Sequence, residues 1–308
     1  MSIYPSTHIF FRASTFGLLT RRAGNFCFLH LLLLLSLSAA RAAPENNPVS
    51  IHIASAANFR LTLEQLAHNF SKQHDNISLN ISSASTGALY EQIVHGAPYD
   101  IYFAADKIRP RLLTEKNLAD KTTLFDYAQG QLVMLIKTDF AKTFNFNCSK
   151  KDPLIPSAQL ASFLAHTDKI IVANPRTAPY GESAIDFLAS VAGKGNTKTH
   201  WKYVKAKNVL HAQQLFRHTR APVAIISASQ LYAQHPKIQP TKGLVCAISS
   251  HAHKPIVQSA VIIQRHTDHP LTPLKQAAIT RFWKFMHSKQ ASDLIQQHGY
   301  KINNNEQL

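Results

Sequence analysis

From Val49 onward, short β-branched or apolar runs are each followed by a turn and then by a helical period, and this alternation is the mark of an α/β protein. Val49 to Ala54 reads as a first strand, and Leu63, Leu66, Ala67 and Phe70 follow at helical spacing. Ile77 to Ile81 is a second strand, followed by a helix carrying Leu89 and Ile93. Asp100 to Ala104 is a third, with Ile108 to Glu115 its helix. Gln131 to Lys137 opens a second unit, with strands at Lys169 to Ala173 and Val223 to Ile226 and helices at Glu182 to Val191 and Val209 to Phe216. Pro255 to Gln264 is again a strand. Leu274 to Gln297 is a helical region with Ile279, Trp283, Met286 and Leu294 on its apolar side. A chain of 308 residues has room for two medium lobes. We expect them at 43–129 with 249–308 and at 130–248, joined by two crossings.

The first 42 residues stand apart. Arg12, Arg21 and Arg22 precede an apolar core from Phe26 to Leu37, and small residues close the segment at Ala40-Arg41-Ala42. This is the order of a secretory signal, and the apolar core is about half the ~20 residues that a spanning helix needs. The expected mature chain begins near Ala43, and Arg21-Arg22 leaves Sec and twin-arginine export both open. Removing Arg12, Arg21, Arg22 and Arg41 takes four charges from the net +16 and leaves +12. That charge is thinly spread with no run of four or five basic residues, which argues against a nucleic-acid partner. Cys148 and Cys246 remain, in a compartment where disulfides persist. A bridge and two buried thiols are both open.

Three places put small, hydroxyl or amide residues between a strand and a helix: Ala56-Ala57-Asn58, Ser82 to Gly87, and Pro179-Tyr180-Gly181-Glu182-Ser183. Asn208-Val209 is a fourth. A helix start leaves backbone N–H groups unpaired and carries partial positive charge, so several converging starts make an anion site without Lys or Arg. Any one of them alone is an ordinary cap. Together, in an α/β chain, they lie where ligands usually bind, beyond the carboxyl ends of the strands.

These segments carry a resemblance. Val49 to Phe59, Ser85-Thr86-Gly87 with Gln92-Ile93, Gly96 to Ile101 and Ala104-Ala105-Asp106 resemble the periplasmic molybdate/tungstate-binding proteins of ABC importers. Asn174-Pro175, Pro179-Tyr180-Gly181, Asn208-Val209, Ala221 to Ile225 and His298-Gly299-Tyr300 continue the family order over almost all of the mature chain. The resemblance implies a two-lobed periplasmic-binding-protein (Venus-flytrap) fold that holds one tetrahedral dianion, molybdate or tungstate, between its lobes. By position, Ala57 and Asn58 would offer backbone N–H groups and the Asn58 side chain, and Ser85 and Thr86 a hydroxyl and an N–H. Tyr180 and Val209 would close the site from the other lobe. Many relatives have Ser where Asn58 stands and some have Tyr where Ser227 stands, which makes Ser227 a further candidate. The implied protein is a periplasmic monomer and not an enzyme. It has no cofactor and delivers its ion to a membrane ABC permease.

Other readings stay open at this point. Sulfate or phosphate would suit the same donors. His251-x-His253, with His266 and His269, suggests a periplasmic metal-binding protein. A secreted hydrolase would use Ser85 as nucleophile with Asp106 and a histidine within reach.

Overall fold

A computed structural model describes residues 48–148, 152–155, 157–193, 201–232, 243–264 and 270–302. The expected signal at 1–42 lies outside these residues, as do His266 and His269. No helix among the described residues is long and apolar enough to cross a membrane.

Among the described residues ten strands form two sheets. The first contains β1 (Val49–Ala56), β2 (Ile77–Ala84), β3 (Ile101–Phe103), β4 (Phe125–Gly130) and β10 (Ile256–Ile262). The second contains β5 (Leu132–Lys137), β6 (Lys169–Ala173), β7 (Lys202–Ala206), β8 (Val223–Ser227) and β9 (Gly243–Ala247). Their orders are β2-β1-β3-β10-β4 and β7-β6-β8-β5-β9. In each, three parallel strands are extended by an antiparallel strand and an antiparallel edge. The chain leaves the first sheet at Gly130, enters the second at Leu132, and returns between Ala247 and Ile256. The two crossings of a two-lobed fold are therefore at Gln131 and in 248–255. Gly130 still belongs to β4, one residue beyond the expected boundary of the first lobe.

The helices are α1 (Arg60–Ser71), α2 (Thr86–Val94), α3 (Ile108–Glu115), α4 (Thr138–Thr143), α5 (Ala158–Leu164), α6 (Pro179–Ala192), α7 (Val209–His218), α8 (Ser229–Tyr232), α9 (Pro273–Met286) and α10 (Lys289–Gln297). The C-terminal helical region is two helices, because Ser288 caps the second by accepting from the Ala291 N–H at 3.2 Å. In the first lobe Leu63, Leu66 and Phe70 of α1 meet Ile279, Phe282 and Met286 of α9 over Ile51 and Ile53. In the second, Ala184, Phe187 and Leu188 of α6 pack on Ile170, Val172, Val223 and Ile225. Cys148 and Cys246 are joined by a disulfide, with Cα atoms 5.7 Å apart, on the second lobe.

The buried aromatic residues fix one end of the first lobe. Phe59, directly after Asn58, lies with its ring centroid 4.5 Å from Tyr127 and 5.7 Å from Tyr300. This packing anchors the turn between β1 and α1, and with it Asn58.

Candidate functional site

The strand ends and helix starts singled out by the sequence meet around one small pocket. Residues 56–58, 85–86 and 105 line it from the first lobe, and residues 178–180 and 208–209 from the second. No Lys, Arg, Asp, Glu or His lines it. Its polarity comes from helix ends: Thr86 is the first residue of α2, Tyr180 the second of α6 and Val209 the first of α7. An N–H at such a position has no intrahelical acceptor.

Local sequence decides what each start leaves over. Pro179 begins α6 with a residue that lacks an N–H and has its φ preset, so the first N–H of that helix belongs to Tyr180. Asn208 spends its side chain capping α7 by accepting from the His211 N–H at 2.9 Å, which leaves the Val209 N–H. Ser85 holds the cap position of α2 with no side-chain cap bond, and it is buried. Its hydroxyl is thus available to the pocket. Thr86 accepts the Ala105 N–H at 3.1 Å on Oγ1, so its hydroxyl proton has another direction to point.

The structure also shows which expected donors are already spent. The Ala57 N–H donates to the Ala84 carbonyl at 2.9 Å, continuing the β1–β2 ladder, so Ala57 lines the pocket without a free N–H. The Asn58 amide donates to Gln258 Oε1 at 2.7 Å and to Tyr300 Oη at 3.1 Å. Both N–H bonds of the amide are therefore spent within the protein, which leaves the backbone N–H as the donor Asn58 can offer. The Tyr180 hydroxyl accepts from Gln258 Nε2 at 3.1 Å. Burial pushes its pKa well above the usual tyrosine value, and the hydrogen bond from Gln258 opposes that. Ser227 does not line the pocket. It is fully buried and shares a hydrogen bond of 2.7 Å with Ser229, which donates to the Asn58 carbonyl at 3.0 Å.

The lobes therefore touch on two sides of the pocket. Behind it, Tyr180, Ser227 and Ser229 of the second lobe meet Asn58, Gln258 and Tyr300 of the first. On another side, the Gly87 N–H donates across the cleft to the Thr177 carbonyl at 2.8 Å. A Cβ on Gly87 would lie 3.1 Å from Thr177 Cα, so glycine permits that approach.

The chemistry of a hydrolase is absent from the pocket lining. No histidine stands beside Ser85 there, and Asp106 is engaged by Arg109 as an ion pair. Among the described residues no group of three or more His, Cys, Asp or Glu side chains could hold a metal ion. His253 contacts the Lys254 carbonyl through Nδ1 at 2.7 Å, and burial lowers its pKa.

Sequence reasoning missed Gln258, Ser229 and Gly130, which shape the pocket from behind. Gln258 and Ser259 are nearly inaccessible polar residues inside the apolar strand β10, Ile-Val-Gln-Ser-Ala-Val-Ile. Polar residues in a central strand need partners, and that was the available signal.

Comparison with known proteins adds to this geometry. Residues 51–301 match the family model described as bacterial extracellular solute-binding protein. The molybdate-binding protein ModA of Azotobacter vinelandii is 27% identical over 270 residues, 88% of this chain and 97% of that protein. ModA of Rhodobacter capsulatus is 25% identical over 281 residues, 91% and 96% respectively. Among solved structures, the periplasmic molybdate-binding protein of A. vinelandii superposes with a TM-score of 0.66 at 28% identity, covering 82% of this chain and 100% of that one.

Proposed function

The chain belongs to the bacterial extracellular solute-binding proteins, and from that membership we propose that it captures molybdate or tungstate in the periplasm for a membrane ABC permease. It is a binding protein and not an enzyme. The observation that carries the ligand class is the pocket lining: helix starts from both lobes, a free cap hydroxyl, and no charged side chain. The relatives named for molybdate support the choice of ion.

The donors we assign are the backbone N–H groups of Asn58, Thr86, Tyr180 and Val209 with the hydroxyls of Ser85 and Thr86. Hydrogen bonds to a charged group contribute about 1.5 to 3 kcal/mol each, so six give on the order of 10 kcal/mol before ordering costs. That corresponds to binding between about micromolar and nanomolar. The protein works as a monomer, one ion to a chain, after export by the signal at 1–42.

Calorimetric titration and thermal melts with molybdate, tungstate, sulfate and phosphate test this. Molybdate and tungstate should bind one per chain and raise the melting temperature. At a hundredfold excess over Kd the added stability is about 2.7 kcal/mol. No shift at about millimolar molybdate, where even weak binding stabilises, refutes the ligand, and tight sulfate binding in its place moves the assignment to that ion.

Salt dependence separates this site from a basic surface patch. Fixed neutral dipoles in a cleft shielded from solvent are poorly screened, so affinity should change less than about tenfold between low and physiological ionic strength. A steeper fall would place the anion on surface Lys and Arg side chains instead.

A further inference from the structure

Gln258 does not line the pocket, yet its one amide head joins the two halves that do. It sits on β10 with no solvent exposure, where the register against β4 slips between Gln258 and Ser259. Such an irregularity re-aims a side chain. Oε1 accepts from Asn58 Nδ2 at 2.7 Å and from Tyr127 Oη at 3.0 Å, both of the first lobe. Nε2 donates at 3.1 Å to Tyr180 Oη, of the second. Asn58 and Tyr180 also line the pocket, one from each lobe. An uncharged planar group that accepts on one atom and donates from the other is what this position requires.

We propose that Gln258 is a positioning residue: it registers the start of α6 against the β1–α1 turn and so couples anion binding to closure of the lobes. The inference rests on the oxyanion reading and names the part of that site that does not touch the ion. When the lobes part, the Gln258–Tyr180 bond must break while the bonds to Asn58 and Tyr127 stay within the first lobe. Closure therefore restores this buried hydrogen bond, beside the one from Ser229 to the Asn58 carbonyl, and with it the spacing of the N–H groups on either side of the ion. The titratable groups around the amide are Tyr127, Tyr180 and Tyr300, all pushed up by burial, and His298, lowered by burial, which contacts Thr62 at 3.0 Å. The charged residues on neighbouring segments are Asp106, paired with Arg109, and Asp126, paired with Lys107.

The test uses molybdate as probe on wild type, Gln258→Met, Tyr180→Phe, the double variant and Gln258→Glu, with calorimetry and small-angle scattering. Gln258→Met should bind about tenfold or more weakly, as should Tyr180→Phe; both lose the Gln258–Tyr180 hydrogen bond, and Gln258→Met also the acceptor for Asn58 and Tyr127. The double variant should bind no worse than about threefold below the weaker single, since coupled partners are not additive. Gln258→Glu should bind within about threefold of wild type near pH 5.5, because a buried carboxyl keeps its proton and the neutral acid reproduces the amide. Ionisation removes the donor to Tyr180 and sets a negative charge beside the anion, so affinity should fall about tenfold or more by pH 8 while wild type stays flat. A residue that only fills space would show no such profile. If Gln258→Met does not fold, the Gln258→Glu profile decides. Wild-type affinity and ligand-induced compaction in Gln258→Met, additive losses, or a flat Gln258→Glu profile would each overturn the coupling alone. A wild type that binds none of the four anions overturns the oxyanion reading and the coupling together.

Discussion

Gly130→Ala is expected to weaken molybdate binding by about a hundredfold or more, roughly 2.7 kcal/mol, while both lobes stay folded. Gly130 ends β4 at the first crossing, and a Cβ there would stand 2.0 Å from Tyr180 Oη, 2.7 Å from Cζ and 2.9 Å from Gln258 Nε2. The two closest collisions are with the Tyr180 side chain of the other lobe, which opening the cleft relieves; the contact with Gln258 Nε2 lies within the first lobe and needs only the end of that side chain to shift. Alanine should therefore act as a wedge at the hinge that favours the open form. An ion can draw the lobes together only by its extra affinity for the closed form, and here it must also displace the Tyr180 ring or the crossing strand. Calorimetry against molybdate measures the loss, and melting of the ligand-free protein checks the fold. Near-wild-type affinity would mean that Tyr180 can move without disturbing the ion, and the pocket's dependence on that ring position would be wrong.

How much of this was legible beforehand depended on burial. The strands β6 and β8 are apolar and have neighbours on both sides, and their cores stand out as the runs Ile-Ile-Val and Val-Ala-Ile-Ile. The strands absent from the sequence reading, β4, β7 and β9, are all sheet edges. An edge strand has one neighbour and tolerates exposed polar residues, and Asp126 and Gln129 in β4 or Lys202 and Lys205 in β7 break the apolar run. Short α4 and α5 carry too few periods to register.

The pocket-lining segments were legible for a different reason. A helix start beside a strand end needs small and hydroxyl residues within a few positions of each other, as in Ser85-Thr86-Gly87, so the signal is local. Which donors are spent is not local: the Asn58 amide is taken by Gln258, 200 positions away, and by Tyr300, 242 positions away. Resemblance placed Asn58 and Tyr180 at the site, but only the packed structure turns the Tyr180 hydroxyl toward Gln258.

The disulfide carries the largest expected effect on stability. Replacing both Cys148 and Cys246 by alanine should lower the unfolding free energy by about 2 to 5 kcal/mol. The bridged residues are 98 apart in sequence, and the loop between them contains β6, α6, β7, α7 and β8, so most of the second lobe's sheet lies inside it. Chain-entropy estimates assign about 4.7 kcal/mol to a loop of that size. Cys246 also sits with no exposure on β9, an edge strand whose ladder among the described residues is with β5, so the bridge ties down a strand with few other restraints. Cys148, following α4, brings the stacked Phe146–Phe163 pair against the same edge. Denaturant titration with and without reductant measures the effect, and saturating molybdate should recover part of it, since a ligand of the folded state stabilises by mass action. Thiol counting on the unreduced, denatured mature protein provides the independent check: Cys27 falls within the expected signal, so the bridged chain should present no reactive thiol. Two reactive thiols, or identical midpoints with and without reductant, would show that the second lobe holds β9 by packing and ladder hydrogen bonds alone.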